Sequence, residues 1–361
     1  MKPFTRLTSL VAASVFSFML SSFTASAGML RETFRGARAM AMGNAYVGLA
    51  DDEQAVWYNP AGLGGNRKTE FHYIVSDLSI STDTIGSVSA ISKIKNPTGD
   101  SLNSLMGQNI YGQEQLSSTL IMPNFGMGLL IDGQVALKEK NRAFPSINLG
   151  YQTTSGVQLA YGFSTGGMSR RPTGEWRFGI GAKMLIRRGG YHDIPIVDLV
   201  SFDKSVLSKI TGNFGTGYGV DLGTQYVRPL NKRLKVSGGV ALTDVGGTSF
   251  GAGPDPIPQN LSAGGAAEYT LGLSKLICTY DWRHITDATD WRKKSHLGAE
   301  LALPLLSLYG GVDQTYITYG ASFDIWIIKV TGVSYAEENG SFIGQNPERR
   351  YTLRLDLKFT L

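Results

Sequence analysis

Residues 351–361 read Tyr-Thr-Leu-Arg-Leu-Asp-Leu-Lys-Phe-Thr-Leu, with an apolar side chain at every odd position. The even positions hold threonine, arginine, aspartate and lysine. Because successive side chains of a strand point to opposite faces, this stretch predicts a β-strand with one apolar and one polar face. Its length matches the roughly 9–11 residues with which a tilted strand crosses a bilayer.

The same two-residue period recurs along the chain from Thr69 onward. Its clearest segments are 157–164, 175–187, 217–226 and 274–282. A soluble barrel or sandwich would use the apolar faces as its core. The segment lengths and the charges on the opposite faces favour a transmembrane antiparallel β-barrel, because only closure pairs every backbone group of strands within lipid. We predict an all-β fold of about fourteen strands, or sixteen if the weak segments 85–94 and 116–122 are both separate strands.

Composition agrees with an exported, β-rich protein. Of the 361 residues, 42% are hydrophobic and 10% aromatic, and the net charge is +5, which together exclude a disordered chain. After residue 27 no apolar run approaches the ~20 residues of a spanning helix. The single cysteine, Cys278, excludes an intramolecular disulfide framework.

The N-terminus predicts export. Lys2 and Arg6 precede an apolar stretch over residues 7–23, and Ala25-Ser26-Ala27 has the pattern of a signal-peptidase site. We therefore expect residues 1–27 to be a cleaved signal peptide and the protein to reside in the outer membrane of a diderm bacterium. Cleavage removes two positive charges from +5, and the remaining basic excess is too weak to predict nucleic-acid binding.

Connection lengths give an independent indication of orientation. Counted back from the C-terminus, one alternating set of connections contains every long loop, and the other is uniformly short. The first set is 188–214, 245–257, 284–293, 313–314 and 337–348; the second is 166–173, 228–232, 270–272, 303–304 and 323–324. Long external loops and short periplasmic turns are typical of outer-membrane barrels, so the C-terminus is predicted to be periplasmic. Apolar spacing also predicts short helices within 99–113 and 197–210.

Residues 28–68 differ from the rest, because they are rich in glycine, alanine and asparagine and lack the strand alternation. Their motifs are Gly36-Ala37-Arg38, Met42-Gly43, Ala50-Asp51-Asp52 and Asn59-Pro60-Ala61-Gly62-Leu63. This segment resembles the N-terminal segment of the FadL/PorV superfamily of outer-membrane proteins. The PorV-like branch is closer than FadL proper, on Gly36–Met42 and on the blocks between His296 and Tyr319.

The resemblance implies a fourteen-stranded barrel of residues 69–361 with residues 28–68 folded inside as a hatch. Met40, Trp57, Tyr58 and Leu63 would then contact a ligand. We expect Asp51 and Asp52 to pair with cations of the barrel wall, since buried charges need partners. The candidate cations are Arg177, Lys183, Arg187 and Arg354. A hatch that only fills the barrel and a hatch that moves as a gate are both compatible with these residues.

The resemblance implies two functions. In the first, the barrel passes a hydrophobic small molecule of the long-chain fatty acid class across the outer membrane. In the second, a PorV-like barrel that does not transport anchors or shuttles a secreted or surface protein through its external loops, chiefly 188–214 and 245–257. Either protein contacts outer-membrane lipid, and the barrel-assembly machinery is expected to recognise Tyr351–Leu361.

The sequence predicts neither catalysis nor a cofactor. The four histidines lack metal-ligand spacing, and no catalytic residue or metal site is predicted. Ser295 and His296 are adjacent, so a strand would place them on opposite faces. We therefore expect that the protein is not an enzyme.

Overall fold

The computed structural model describes residues 33–87, 107–140, 146–168, 174–195, 212, 214–251 and 253–360. Fourteen antiparallel strands form a closed barrel, in which each strand pairs with its sequence neighbours and β1 pairs with β14. The strands are β1 (Glu70–Ser81), β2 (Asn109–Met122), β3 (Phe125–Lys140), β4 (Ser146–Ser164), β5 (Glu175–Pro195), β6 (Phe214–Pro229), β7 (Leu234–Thr243), β8 (Asn260–Leu271), β9 (Ser274–Trp282), β10 (Ser295–Ala302), β11 (Leu306–Asp313), β12 (Tyr316–Ile325), β13 (Ile328–Glu338) and β14 (Pro347–Thr360).

The helical elements are short. They are the α-helices α1 (Ala37–Ala41), α2 (Ala55–Tyr58) and α3 (Thr82–Gly86), and the 3₁₀ segments Pro60–Gly65, Thr165–Met168 and Trp291–Lys294. Among the residues that the structure describes, none of the helices has the length and apolarity to cross a membrane.

The alternation of the last strand is confirmed. Leu353 is 58% exposed on the outside of the barrel, whereas the neighbouring Arg354 is 4% exposed. The other strands follow the same rule, with large apolar side chains exposed outside and polar side chains buried inside. This polarity is the reverse of a soluble protein's and is that of a barrel whose outer face meets lipid. The predicted all-β transmembrane barrel of fourteen strands is therefore correct.

The alternating pattern of connections also holds. One end of the barrel carries the connections 82–108, 141–145, 196–213, 244–259, 283–294, 314–315 and 339–346, and the other end carries 123–124, 165–174, 230–233, 272–273, 303–305 and 326–327. The second set is short and lies at the end where β14 finishes. By the usual asymmetry this is the periplasmic end.

Three predicted boundaries are wrong. Residues 116–122 belong to β2, which begins at Asn109 and so replaces the last residues of the helix predicted over 99–113. The predicted strand 85–94 begins inside α3, and its residues after 87 lie outside the described ones. The predicted loop 188–214 is shorter, because β5 pairs with β4 as far as Pro195. Interstrand hydrogen bonding, which local periodicity does not reveal, extends these strands. The helix predicted over 197–210 lies outside the described residues.

The barrel wall is shortest along its axis at β9, β10 and β11, which have 9, 8 and 8 residues. At ~3.4 Å per residue and a tilt near 40°, eight residues rise only about 21 Å, less than the ~25 Å apolar band of such barrels. The periplasmic turns on this side have apolar tips, with Leu273 90% and Trp326 89% exposed. We therefore expect the apolar band to continue into these turns.

A fluorophore attached in a Leu273→Cys, Cys278→Ser variant is accordingly expected to be quenched by brominated lipids in vesicles and shielded from iodide. Asn231→Cys with Cys278→Ser, in the turn 230–233 beside Lys232 and Arg233, is the matched control and should be quenched by iodide instead. Equal access of iodide to the two positions would show that the turn at 272–273 lies in water.

Candidate functional site

Residues 35–65, here called the luminal segment, lie inside the barrel. Their hydrogen bonds reach β2, β4, β6, β9 and β12, which lie around the whole wall. Tyr46 is 0% exposed, and most apolar side chains of the main core cluster come from this segment. The polar interior of the wall thus surrounds an apolar segment of the same chain.

Asp281 of β9 binds the backbone of the luminal segment. Its carboxylate accepts hydrogen bonds from the backbone N–H groups of Tyr46 at 2.5 Å, Val47 at 2.6 Å and Gly48 at 3.4 Å. On the same strand, the Thr279 hydroxyl donates to the Ala45 carbonyl at 3.1 Å. Bonds to an ionised acceptor are the strong ones, so Asp281 is the main anchor of residues 46–48.

Glutamine amides of the wall supply further anchors. Gln225 donates to the carbonyls of Gly48 and Leu49 at 3.0 and 2.9 Å. Gln158 donates to the Val56 carbonyl at 2.7 Å. These bonds satisfy backbone groups that have no strand or long helix to pair with, since a buried unpaired polar group is costly.

Glycines of the wall make room for the segment. A Cβ atom at Gly179 would lie 2.2 Å from the Ala61 nitrogen, and one at Gly298 would lie 2.3 Å from the Met42 oxygen. Such distances leave no space for a side chain. Seven other wall glycines approach the luminal segment as closely, so that a Cβ atom there would lie within 3.1 Å of it. They are Gly126, Gly128, Gly162, Gly223, Gly239, Gly311 and Gly320. Nine of the 45 glycines of the chain therefore serve the contact between wall and segment.

The motif residues of the luminal segment shape its path. Gly36 precedes α1, and Gly43 has φ +64° while its N–H donates to the Thr318 hydroxyl at 3.0 Å. Met42, between them, is buried against Gly298. The Asn59 side chain accepts from the Ala61 N–H at 3.2 Å and donates to the Val47 carbonyl at 3.0 Å, and Pro60 begins the 3₁₀ segment.

The predicted ion pairs of Asp51 and Asp52 are wrong. Both carboxylates bind Arg38 of the same segment, at 2.6 and 2.8 Å, and Arg38 also binds Glu300 of β10 at 2.7 Å. Burial lowers the pKa of Arg38, but the three carboxylates raise it above its ordinary value, so the guanidinium stays charged. Because the chain turns between Arg38 and Asp51, the guanidinium of Arg38 lies against the two carboxylates in place of the four cations predicted on the wall.

The four wall cations predicted as partners have other contacts. Lys183 binds Asp221 and Asp244 at 2.9 Å each, and Arg177 pairs with Glu175. Arg354 binds Glu53 at 2.7 Å. Arg187 donates to the Asp255 carbonyl at 3.0 Å. Among the four, only Arg354 therefore pairs with an acidic side chain of the luminal segment. That side chain is Glu53, which follows the predicted pair Asp51 and Asp52 in the sequence.

A cavity of about 80 Å³ lies at the external face of the luminal segment, beneath the connection 244–259. Its floor contains Trp57 and Tyr58, with Phe34 stacked on Trp57 at a ring distance of 5.1 Å. Leu185 and Ile257 add to the apolar lining, and the remaining lining residues are largely polar. The polar lining includes Lys183, Asp244, Asn260, Arg283 and His284.

The four predicted ligand contacts are not brought together. Trp57 and Tyr58 line this cavity, whereas Met40 lines a separate, smaller one of about 10 Å³ between α1 and β2. Leu63 packs against the wall near Gly126. Ser295 and His296 face opposite sides as expected, since Ser295 bonds Tyr280 outside and His296 lies 3.0 Å from the Gly43 carbonyl inside.

The structure also assembles groups that sequence spacing did not single out. Glu53 of the luminal segment, His72 of β1 and Asp356 of β14 place one ligand atom each within 4.8 Å of the others. Burial raises the pKa of Glu53, but His72 and Arg354 outweigh this and hold it below its ordinary value. Asp356 lies about 300 positions from Glu53 and His72, and the only local signal was the inward phase of His72 and Asp356 in their strands.

No family model and no curated protein matches the chain. Among solved structures, it is similar to the toluene transporter TodX of Pseudomonas putida, with 12% identity, a TM-score of 0.47 and coverage of 92% of this chain and 99% of that one. It is also similar to the toluene transporter TbuX of Ralstonia pickettii, with 11% identity, a TM-score of 0.48 and coverage of 95% of this chain and 99% of that one. The monoaromatic hydrocarbon channel CymD is similar as well, with 11% identity, a TM-score of 0.48 and coverage of 90% of this chain and 97% of that one. The PorV-like resemblance has no counterpart among these three and stays a prediction. On its own geometry, the chain is a fourteen-stranded transmembrane β-barrel whose lumen holds an N-terminal segment of the same chain.

Proposed function

We propose that the protein passes a small hydrophobic molecule across the outer membrane through a lumen that residues 28–68 close as a hatch. The proposal includes a signal peptide cleaved after Ala27 and a barrel of residues 69–361. The observation that carries it is the external cavity, because the rings of Phe34, Trp57 and Tyr58 border it and the luminal segment forms its floor. A ligand bound there would lie directly against the part of the chain that blocks its path.

The size of the cavity means that passage of a ligand requires the hatch to move. Its volume of about 80 Å³ is below the ~150 Å³ of an apolar cavity that binds benzene. A ligand of one ring or more would therefore have to displace residues of the luminal segment as it enters. Trp57 and Tyr58 would be met first, and Met40 and Leu63 only after the segment has moved.

Two probes cover the ligand classes in question. A long-chain fatty acid represents the class implied by the sequence resemblance, and toluene represents the compounds named for the similar channels. The lining mixes apolar and polar side chains, which is compatible with a ligand that carries one polar group as well as with a plain hydrocarbon.

The anchoring function is supported less. Of its two proposed loops, 245–257 folds back into the barrel mouth, where Phe250 is buried and Thr248 pairs with Ile257. The other loop lies largely outside the described residues. Co-purification of a secreted protein that is lost on trimming residues 196–211 would favour this alternative.

A disulfide between hatch and wall tests the passage function. A Cβ atom at Gly126 would lie 2.6 Å from Val56 Cγ2, close to the Cβ-to-sulfur separation in a disulfide. In a Val56→Cys, Gly126→Cys, Cys278→Ser variant we expect oxidation to abolish uptake of the labelled probe and reduction to restore it. The physical reason is that the crosslink prevents the luminal segment from leaving the wall.

The single variants Val56→Cys and Gly126→Cys, each with Cys278→Ser, should be insensitive to oxidant. Gly126→Cys alone keeps Val56 Cγ2 2.6 Å from the new Cβ atom, so its uptake also shows how far the added side chain by itself displaces the segment. Uptake that is equally fast in the oxidised and reduced double variant would contradict a moving hatch. Absence of uptake in every form, including wild type, would contradict the passage function.

A further inference from the structure

The connection between β7 and β8 folds into the external mouth of the barrel. Its described residues, 244–251 and 253–259, are here called the external strap. The pairing of β6 with β7 ends at Leu222, although β6 continues outward to Phe214. The strap lies against the inner face of this continued part of β6, where it covers the cavity above the luminal segment.

Three glycines make room for the strap on the inner face of β6. Gly215, Gly217 and Gly219 all have the inward phase of this strand. A Cβ atom at Gly217 would lie 2.7 Å from Thr248 Cγ2, and one at Gly219 would lie 2.6 Å from Thr248 Oγ1. Gly215 is as close to the Phe250 carbonyl. Since no side chain fits between strand and strap, the sequence of β6 is matched to the position that the strap occupies.

The underside of the strap is apolar. Phe250 and Ile257 are buried and form a cluster with Leu185 of β5. Ile257 and Leu185 also line the cavity, together with Trp57 and Tyr58 of the luminal segment. A molecule that enters from the external side therefore has to move the strap before it reaches these two rings.

Two cations of β5 hold the strap through side-chain contacts. Lys183 pairs with Asp244 at 2.9 Å, and the Thr248 hydroxyl donates to the same carboxylate at 2.6 Å. Arg187 donates to the Asp255 carbonyl at 3.0 Å. The wall strands, in contrast, are held by continuous interstrand ladders. The strap can therefore open locally while the barrel stays intact.

The first residues of the strap have the backbone of a hinge. The φ angle is +53° at Asp244, +78° at Gly246 and +80° at Gly247. The Val245 N–H donates to the Val220 carbonyl of β6 at 2.9 Å and fixes the chain just before the two glycines. Because glycine adopts both signs of φ at little cost, the two glycines can absorb a rotation of the residues that follow them.

We propose that the external strap is a lid over the cavity, which turns outward about Gly246 and Gly247 to admit a ligand from the external side. The strap then controls entry to the cavity, and the luminal segment controls the path beyond it. The nature of the ligand and its onward passage rest on the function proposed above. Entry to the cavity does not, so the test measures entry alone.

A disulfide between strap and β6 tests the lid. The lock variant carries Gly217→Cys and Thr248→Cys, with Ala241→Cys as a reporter in the cavity lining and Cys278→Ser. The purified, oxidised protein in detergent is treated with N-ethylmaleimide, and peptide mass spectrometry follows labelling at residue 241. We expect labelling about tenfold or more slower than in the matched control, because the crosslink prevents local opening of the strap.

The matched control replaces the two lock residues by serine, as Gly217→Ser and Thr248→Ser, and keeps the reporter. Serine has the shape of cysteine but forms no crosslink, so the added atoms are the same. A second reporter, Ala37→Cys, lines the separate small cavity beside α1, and the lock should leave its labelling unchanged. Each variant must still migrate differently on gels before and after boiling, which shows a folded barrel.

Phe250→Ala, in the Ala241→Cys, Cys278→Ser background, tests the lid in the opposite direction. It removes the largest apolar contact of the strap, and we expect labelling at residue 241 to be about tenfold or more faster. If the lock disulfide does not form, this variant decides, and unchanged labelling would overturn the proposal.

Equal labelling at residue 241 in the oxidised lock and the serine control would overturn the lid, because the reagent would then reach the cavity past a strap that cannot move. Absence of labelling in every form, Phe250→Ala included, would overturn it as well, since the cavity would not be reached from the external side. Labelling as expected in a protein that takes up neither probe would contradict the passage function and support the lid.

Discussion

Gly298→Val is expected to force the luminal segment away from the wall and to make the barrel leaky. A Cβ atom at this position would lie 2.3 Å from the Met42 oxygen and 2.7 Å from Met42 Cβ. Neither strand β10 nor the buried Met42 has space to yield, and overpacking of this kind costs ~1–3 kcal/mol. Because valine suits a strand better than glycine, we expect the barrel to form while the luminal segment is displaced.

The measurement is the swelling rate of vesicles containing the purified protein in a small sugar. For Gly298→Val we expect a rate about tenfold or more above wild type. Gly310→Val on the adjacent strand β11 is the matched control, since a Cβ atom there meets nothing within 4 Å. Equal swelling of the two variants, with both barrels folded, would mean that contact with Gly298 does not hold the luminal segment in place.

The fold could be predicted because its signal is local. In residues 351–361, each side chain's face follows from its position in the alternation, and the structure places Leu353 outside and Arg354 inside accordingly. The connection lengths carried similarly direct information, since each pair of strands joined by a tight turn had to be antiparallel neighbours.

The contacts inside the barrel could not be predicted in the same way. Asp281 and Gln225 occupy the inward phase of the alternating segments 274–282 and 217–226, but that phase does not identify them as partners of the backbone at residues 46–49. That pairing depends on the path of an irregular segment through the lumen. For the same reason, Asp51 and Asp52 were given partners on the wall, although their actual partner, Arg38, lies within the segment.

The glycine content shows where a signal was present and its meaning was missed. The chain has 45 glycines, about one residue in eight, against an average near 7%. Wall positions such as Gly179 and Gly298 share the inward phase of their strands and would admit no Cβ beside the luminal segment. Inward-facing glycines in an otherwise polar lumen therefore indicate close backbone approach, and could have marked the course of the segment from sequence.

Asp281→Ala is expected to release residues 46–48 from the wall. The substitution removes the acceptor of three backbone N–H groups, those of Tyr46, Val47 and Gly48. Bonds to a charged group are worth ~1.5–3 kcal/mol each, and the buried N–H groups would be left without a partner. A loss of about 2 kcal/mol corresponds to amide exchange about 30-fold faster, if these amides exchange by local opening.

Hydrogen exchange followed by mass spectrometry of peptides covering residues 42–50 measures this effect in the folded barrel. Thr279→Val is the matched control, because this hydroxyl on the same face of β9 donates to the Ala45 carbonyl and binds none of the three N–H groups. We expect peptides from β9 and its neighbours to keep their protection in both variants, since the wall is held by its own interstrand ladder. Exchange over residues 42–50 that is no faster in Asp281→Ala than in Thr279→Val would show that the anchor lies elsewhere, with the glycine contacts and the glutamine bonds sufficient to hold the segment.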